Sequence, residues 1–233
     1  MSTAIVTGGS KGLGLALTKA LVSRGWNVAA DARDAAELEK AIGPLGPAAL
    51  GVAGDVADAV HRDELVRRTL EVFGSVDAVI ANASTLGPVP MPRLAELAPA
   101  DLQAVLDVNV SAPLGLVQAA LPYMKNGTVV FVTSDAGANA YSGWGAYGTS
   151  KAALEQLGAI LAEEQPDLRV LVVDPGDMRT QMHADAFFGE DISDRPLPEV
   201  RVPAFVALIE GDAPSGRYIA TEVLKTAFLQ GVK

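Results

Sequence analysis

The 233-residue sequence contains no cysteine and only two histidines, His61 and His183. Disulfides, thiolate metal sites and cysteine nucleophiles are therefore excluded. Two histidines are too few for most histidine-based metal centres, so we predict no metal site. Basic residues are also scarce, at 18 against 28 acidic ones, which gives a formal net charge of -10. An acidic surface repels phosphate backbones and anionic lipids, so we expect neither a nucleic-acid nor a membrane partner.

Long apolar runs are missing too, since each is interrupted before the roughly 20 residues that a bilayer-spanning helix needs. The first residues, Met1 to Thr7, enter a strand-like run with no basic region of the kind that opens a signal peptide. With 49% hydrophobic residues, the chain as a whole is not disordered. We expect one cytoplasmic domain that spans residues 1–233.

Short β-rich runs alternate with helical patterns along almost the entire chain. The apolar runs are continuous, which is typical of strands covered by helices on both faces. This order predicts an α/β fold with a single Rossmann-type, doubly wound parallel sheet of about seven strands. The predicted strands lie at 4–7, 27–30, 49–53, 77–81, 128–133, 168–173 and 218–220, and the predicted helices at 13–23, 35–42, 60–73, 101–124, 146–164 and 199–210. The irregular segment 177–198 is predicted to be a substrate loop or lid.

A glycine-rich turn joins the first predicted strand to the first predicted helix. Its sequence is Thr-Gly-Gly-Ser-Lys-Gly-Leu-Gly, and its glycines allow a sharp turn and a close approach to a pyrophosphate. The following helix N-terminus offers free N–H groups and a positive dipole end. We therefore predict phosphate binding by the residues of this turn, Gly8, Ser10, Lys11, Gly12, Leu13 and Gly14. A glycine-rich turn without a ligand is the alternative interpretation.

A second set of residues indicates acid–base chemistry. Tyr147 and Lys151 stand four residues apart on one helix face. A nearby cation favours the phenolate and lowers the tyrosine pKa. Ser134 ends a strand at the carboxyl edge, where ligands bind in open α/β sheets, and its hydroxyl could stabilise a developing alkoxide. Each of these residues is a weak signal by itself, but their combination with the glycine turn is specific.

The chain resembles the short-chain dehydrogenase/reductase family, in its short, single-domain branch. The resemblance rests on the Thr-Gly-x3-Gly-x-Gly spacing and on the set of Ser134, Tyr147 and Lys151, and it extends to about residue 180. It implies an NAD(P)-dependent oxidoreductase that interconverts a ketone or aldehyde and an alcohol, with Tyr147 as general acid/base. Two alternatives keep the same fold, namely a non-catalytic NAD(P)-binding sensor or regulatory protein and a lyase or isomerase.

The resemblance assigns further residues. Asn109 matches the fourth catalytic residue, which holds a water behind the lysine, although a satisfied core amide near the kink source Pro113 is the competing interpretation. Cofactor contacts are implied for Tyr147 and Lys151 themselves and for five other residues. These are Asp55, for which a helix cap is almost equally favoured, and Asn82, Pro175, Gly176 and Thr180.

Two arguments about the cofactor disagree. Asp31 lies about twenty residues after the glycine turn, where an acid binds the ribose 2′-hydroxyl of NAD. In the family register, however, the NAD-selecting acid falls on Ala32, and Arg33 and Lys11 match basic residues that pair with the extra phosphate of NADP. NADP(H) is favoured, and NAD(H) is the alternative.

The substrate pocket is expected between residues 139–144 and the loop after Pro175. Its candidate lining residues, which ordinary packing explains equally well, are Tyr141, Trp144, Met178, Met182, Phe187 and Phe188. His183 is expected in solvent on a loop, with a substrate contact as the alternative, and His61 is expected on the surface. Few charges are expected near this pocket, which favours a compact, mostly apolar carbonyl compound. The resemblance also suggests a homodimer or homotetramer.

Overall fold

Seven parallel strands form one sheet in the computed structural model, which describes residues 1–229. The spatial order is β3-β2-β1-β4-β5-β6-β7, so the chain winds outward in two directions from β1 and β4. This is the predicted doubly wound α/β fold. The strands are β1 (Thr3–Val6), β2 (Asn27–Ala32), β3 (Ala49–Ala53), β4 (Ala78–Ala81), β5 (Thr128–Val132), β6 (Arg169–Asp174) and β7 (Gly216–Ile219).

Nine α-helices within residues 1–229 connect and cover these strands. They are α1 (Gly12–Ser23), α2 (Ala35–Ile42), α3 (Ala59–Phe73), α4 (Pro99–Leu106), α5 (Ala112–Ala120), α6 (Gly145–Glu164), α7 (Gln181–Ala186), α8 (Val202–Glu210) and α9 (Ala220–Leu229). The sequence did not predict α9. It also failed to predict α7, which lies inside the segment that was expected to be irregular.

An apolar layer lies on each face of the sheet, as the continuous apolar strands require. In β5, Val130 and Val132 point into the layer under α1 and α8, whereas Val129 and Phe131 point into the layer under α3, α5 and α6. Successive side chains of a strand alternate between faces, so the central strands β1, β4 and β5 have to be buried throughout, whereas the edge strands β3 and β7 are partly exposed.

The predicted helix 101–124 is interrupted by a π turn at Asp107–Ser111. Pro113, in the first turn of α5, explains the interruption. Its ring has no N–H and would clash with the carbonyl four residues earlier in an α-helix, which is that of Asn109. The wider turn relieves this clash, and the Ala112 N–H donates instead to the Asp107 carbonyl, five residues back.

The sequence analysis expected no apolar stretch of bilayer-spanning length, and the structure corrects this. The interrupted helical stretch Pro99–Tyr123 is long and apolar enough to cross a membrane by length and composition alone. Core helices meet the same criterion, and Val105, Asn109 and Leu116 of this stretch are buried in the protein.

The prediction for the fold concerns Phe131, which is fully buried beneath the strand end that leads to Ser134. Phe131→Ala should lower the free energy of unfolding by about 3–5 kcal/mol, because it removes buried apolar area and leaves a cavity. Urea unfolding measures this loss. Tyr123→Ala, at a 54% exposed aromatic residue, is the control and should change stability by less than about 1 kcal/mol. Equal losses in the two variants would contradict the assigned core.

Candidate active site

The glycine turn has the backbone geometry that its sequence predicts. Gly8 and Gly12 have φ angles of 69° and 55°, in the left-handed region that favours glycine. A Cβ atom on Gly14 would lie 2.2 Å from the Gly8 carbonyl oxygen, so the turn closes tightly on the helix. Helix α1 begins after Lys11 without a side-chain cap and without an acidic residue in its first turn. Its N–H groups are therefore available to an anion.

The next feature is a buried pair of side chains that supports this turn. The Asp31 carboxylate accepts hydrogen bonds from the Gly8 N–H at 2.8 Å and lies 3.1 Å from His61 Nε2. Asp31 is only 1% exposed, and both of its oxygens are engaged inside the protein. The expectation that His61 lies on the surface was wrong. Its ring packs over Gly54, where a Cβ would lie 2.1 Å from the ring, and no sequence pattern had indicated this contact.

Asn82 ties the end of β4 to the end of β1. Its side-chain amide donates to the Thr7 carbonyl at 2.8 Å, and its backbone N–H donates to the Thr7 hydroxyl at 3.0 Å. The Ala83 N–H donates to the same hydroxyl at 2.9 Å. Asn82 is thus placed beside the glycine turn, as the resemblance implied.

Four exposed polar residues lie on the glycine turn, after β2, on α2 and after β3. Arg33 and Lys11 are exposed and form no salt bridge within residues 1–229. Glu37 was not predicted from the sequence, and its carboxylate accepts a hydrogen bond from the buried Ser10 hydroxyl at 3.2 Å. Asp55 is exposed, and its carboxylate accepts a hydrogen bond from the Ala57 N–H in the turn after β3. It does not cap α3, because that role belongs to Asp58.

Tyr147 and Lys151 lie on α6 above the carboxyl end of β5, and both are buried. The Lys151 ammonium donates to the Val132 carbonyl at 2.8 Å and lies 5.3 Å from the centre of the Tyr147 ring. Burial lowers the pKa of Lys151 to about 8, and the Glu155 carboxylate opposes this shift.

Burial also dominates the pKa of Tyr147 and raises it above its usual range. The neighbouring Ser134 hydroxyl lowers this pKa, and the Asp174 and Asp135 carboxylates raise it again. The neighbouring hydroxyls of Ser134 and Ser84 both donate elsewhere, to Asp135 and Asn109. The Tyr147 hydroxyl forms no hydrogen bond of good geometry within the described part of the chain. The sequence analysis expected a lowered tyrosine pKa, and desolvation reverses that expectation.

Ser134 lies two residues after the end of β5, beside Tyr147. Its hydroxyl donates to the Asp135 carboxylate at 3.0 Å and accepts from the Ala136 N–H at 3.2 Å, so it also caps a short 3-10 turn. The other oxygen of Asp135 accepts from the Tyr141 hydroxyl at 2.8 Å. This bond is the main cause that raises the pKa of Tyr141.

Asn109 is buried in the π turn, and its side chain is fully used within the protein. The amide nitrogen donates to the Thr85 carbonyl and the Ser150 hydroxyl at 2.8 and 2.9 Å. The amide oxygen accepts from the Ser84 hydroxyl and the Thr85 N–H at 3.1 and 2.8 Å. The side chain is therefore the satisfied core amide of the competing interpretation, and it connects α6 to the loop after β4.

A cavity of about 540 Å³ opens above the ends of β5 and β6, with Tyr147 and Ser134 in its wall. Pro175, Gly176 and Thr180 also line it, and Thr180 caps α7 through the His183 N–H. Its methyl group would lie 3.7 Å from a Cβ on Gly12, so this part of the cavity wall adjoins the glycine turn. A nicotinamide nucleotide that runs from the turn to the cavity fits this arrangement.

Five of the six apolar residues suggested for the pocket line this cavity, namely Tyr141, Trp144, Met178, Met182 and Phe187. The sixth, Phe188, is 85% exposed and lies outside it. His183 belongs to helix α7 and lines the cavity, instead of lying in solvent on a loop.

The expectation of few charges was wrong, because three carboxylates face this space. They belong to Asp135, Asp174 and Asp177. None of the three was assigned a role from the sequence.

Comparison with known proteins adds the family. A model of the short chain dehydrogenase family matches residues 2–190, which is most of the chain. The chain belongs to this family. An uncharacterized oxidoreductase of Saccharomyces cerevisiae is 31% identical over 232 residues, which cover 98% of this chain and 90% of the relative.

Two further relatives are informative about ligands. Benzil reductase ((S)-benzoin forming) of Saccharomyces cerevisiae is 28% identical over 241 residues, covering 98% of this chain and 90% of that protein. A solved structure of a Shigella flexneri short chain dehydrogenase complexed with NADP has a TM-score of 0.87 and 28% identity, and the match covers 94% of this chain and 97% of that one. This short-chain dehydrogenase is therefore an NAD(P)-dependent oxidoreductase of a small-molecule substrate.

The prediction for the site uses the buried Lys151 ammonium of this dehydrogenase. Its pKa is about 8 in the folded protein and near 10.5 when exposed, so the unfolded state binds more protons between these values. Folding stability from this group therefore rises with pH across that window. Lys151→Met removes this dependence. Its stability relative to wild type should fall by about 2 kcal/mol between pH 7 and pH 9.5.

Urea unfolding at the two pH values measures this difference. Lys19→Met, at an exposed position on α1, is the control and should keep a constant difference from wild type. A constant difference for Lys151→Met as well would show that the ammonium is not desolvated.

Proposed function

We propose that this protein is an NADP-dependent reductase that interconverts a ketone or aldehyde and the corresponding alcohol. The observation that carries the proposal is the Tyr147 hydroxyl, which is buried, faces a cavity beside the Ser134 hydroxyl and forms no hydrogen bond of good geometry among residues 1–229. A proton donor held in this way is suited to the oxygen of a carbonyl substrate. The Lys151 ammonium beneath the ring and the Ser134 hydroxyl beside it complete the set.

Each residue has a role that follows from its environment. The raised pKa of Tyr147 keeps the phenol protonated near neutral pH, so it can donate its proton to a carbonyl oxygen. The positive charge of Lys151 stabilises the phenolate that remains. Ser134 orients the same oxygen, which requires its hydrogen to turn away from Asp135. NADPH, when bound, supplies the hydride.

Asn109 acts through its backbone in this proposal, because its side chain is fully bonded. Pro113 cannot donate to the Asn109 carbonyl, and the π turn moves the Ala112 N–H to Asp107. The Asn109 carbonyl is therefore a candidate to hold a water that returns a proton through Lys151.

The glycine turn would hold the pyrophosphate, with Gly8, Ser10, Gly12, Leu13 and Gly14 as its backbone contacts. Asn82 and Asp55 would flank the adenosine half. The nicotinamide half would lie against Tyr147 and Lys151 and the segment from Pro175 through Gly176 to Thr180.

NADP is favoured because Arg33 and Lys11 are exposed cations beside the glycine turn, whereas the Asp31 carboxylate is buried and occupied. Two basic side chains can pair with the 2′-phosphate. The NADP complex of the Shigella flexneri relative agrees with this choice. Glu37 is the group that opposes it, since it places a carboxylate next to Ser10.

A carbonyl substrate is supported by the benzil reductase relative, whose substrate is an aromatic diketone. Trp144 and Phe187 line the cavity and would pack against such rings. Benzil is accordingly the first substrate to test. The single domain, the lid at 177–198, the cytoplasmic location and the homodimer or homotetramer stay predictions.

The central residue is tested by Tyr147→Phe, which removes only the hydroxyl. The variant should lower kcat for benzil reduction by about 100-fold or more, because general acid catalysis contributes at least that factor. NADPH binding, followed by nicotinamide fluorescence, should remain. Tyr123→Phe, at an exposed position before the amino end of β5 and outside the cavity lining, is the control.

A wild-type kcat for benzil reduction in Tyr147→Phe would rule out Tyr147 as the proton donor. If wild-type protein binds NADPH but consumes it with no carbonyl compound, the chain is a cofactor sensor. Product formation without a change in nicotinamide absorbance would indicate lyase or isomerase chemistry.

Cofactor choice is tested by Arg33→Ala. The Kd for NADPH should rise about tenfold, the value of one charge-assisted hydrogen bond, while the Kd for NADH stays nearly constant. Lys40→Ala, an exposed cation in the last turn of α2, is the matched control. Tighter binding of NADH than NADPH by the wild type would contradict the proposal and would attribute the selection to Glu37.

A further inference from the structure

We propose that the carbonyl substrate of this enzyme also carries a positively charged amine, held by Asp135 between aromatic side chains. The inference rests on the proposed carbonyl reduction and narrows its substrate class. A substrate with a charged amine differs from the compact, mostly apolar compound that was expected from the sequence.

Negative charge is in excess around the cavity. Arg217 is shared by Glu155 and Asp174, at 3.0 and 3.4 Å, and Arg195 is shared by Asp177 and Asp194. Each guanidinium therefore forms salt bridges with two carboxylates. Arg201 reaches only the main-chain oxygen of Asp177, at 3.4 Å. A field of this sign repels anionic substrates and attracts cations.

Asp135 forms no salt bridge among the described residues, and the nearby Arg217 guanidinium donates instead to the Ser134 main-chain oxygen at 3.5 Å. The two carboxylate oxygens of Asp135 accept hydrogen bonds from the neutral hydroxyls of Ser134 and Tyr141, at 3.0 and 2.8 Å. The residue is exposed toward the cavity and follows Ser134 directly. An ammonium group bound there lies only a few atoms from a carbonyl group bound at Ser134.

Aromatic rings line the same part of the cavity. The Trp144 ring lies 6.3 Å from that of Tyr141 and 5.7 Å from that of Phe187, measured between centroids, and the rings are tilted against each other. Ring faces attract ammonium groups, above all where water is displaced. Tyr141 belongs to both sets, since its ring is part of this wall and its hydroxyl contacts Asp135.

The Tyr147 hydroxyl, which forms no hydrogen bond of good geometry in the described part of the chain, faces the same cavity. Its side chain is 8% exposed, and its ring lies 5.7 Å from that of Trp144. The cavity therefore presents a proton donor to the carbonyl group and, beside it, a carboxylate and ring faces to the amine. A volume of about 540 Å³ suits a molecule with both groups.

Binding of the amine also bears on catalysis. A cation bound to Asp135 weakens the hydrogen bond that the Ser134 hydroxyl donates to this carboxylate. The hydroxyl hydrogen can then turn toward the carbonyl oxygen of the substrate. The same cation opposes the carboxylates that raise the pKa of Tyr147. The charged substrate should therefore have a higher kcat as well as a lower KM.

The test compares two phenyl ketones of equal shape, one ending in a dimethylammonium group and the other in an isopropyl group. With wild type and NADPH, kcat/KM for the ammonium ketone should be at least tenfold higher, and this ratio should fall with added salt. Asp135→Asn should reduce the ratio at least fivefold. Asp167→Asn, at an exposed position before β6, should leave it unchanged.

Calorimetric titration of the cofactor-free protein with each ketone gives a second readout that does not depend on turnover. Tighter binding of the ammonium ketone, lost in Asp135→Asn, is expected. A ratio near one in wild type, or a ratio that Asp135→Asn does not change, would overturn the inference. If benzil is reduced while the ammonium ketone has no advantage, only this inference fails. If no ketone is reduced, the proposed function fails first.

Discussion

The burial of the Lys151 ammonium is the constraint on which the rest of the site depends. A buried ammonium is unfavourable unless it is bonded, and here it donates to the Val132 carbonyl at the last residue of β5. That bond fixes the height of α6 above the sheet edge, and with it the position of the Tyr147 ring, 5.3 Å from the ammonium. Glu155, one turn further along α6, adds a compensating charge.

The two halves of the site meet because parallel strands bring their carboxyl ends to one edge. The glycine turn follows β1, Asn82 follows β4, Ser134 follows β5 and Gly176 follows β6. The turn is held from behind by the buried Asp31 carboxylate on β2, which bonds the Gly8 N–H and His61. The cofactor side and the substrate side are therefore built on the same rigid sheet.

The fold and the central residues could be predicted because their signals are local. Continuous apolar runs predicted all seven strands, and a spacing of four residues predicted that Tyr147 and Lys151 share a helix face. Contacts between distant segments left no such signal. The His61–Asp31 pair joins residues thirty positions apart. Asp135 and Asp177 line the same cavity only because the loops that carry them fold over the sheet edge. Pro113 did indicate a disturbed helix, but no local pattern in the sequence indicates that the disturbance is a π turn around Asn109.

The central claim is that this cavity carries out hydride transfer to a carbonyl carbon. The most direct measurement is the reduction of benzil with NADPH that carries deuterium at the transferable position of the nicotinamide, followed by mass spectrometry of the product. One deuterium at the new carbinol carbon is the predicted result. An alcohol without deuterium, or no consumption of the labelled cofactor, would contradict the account.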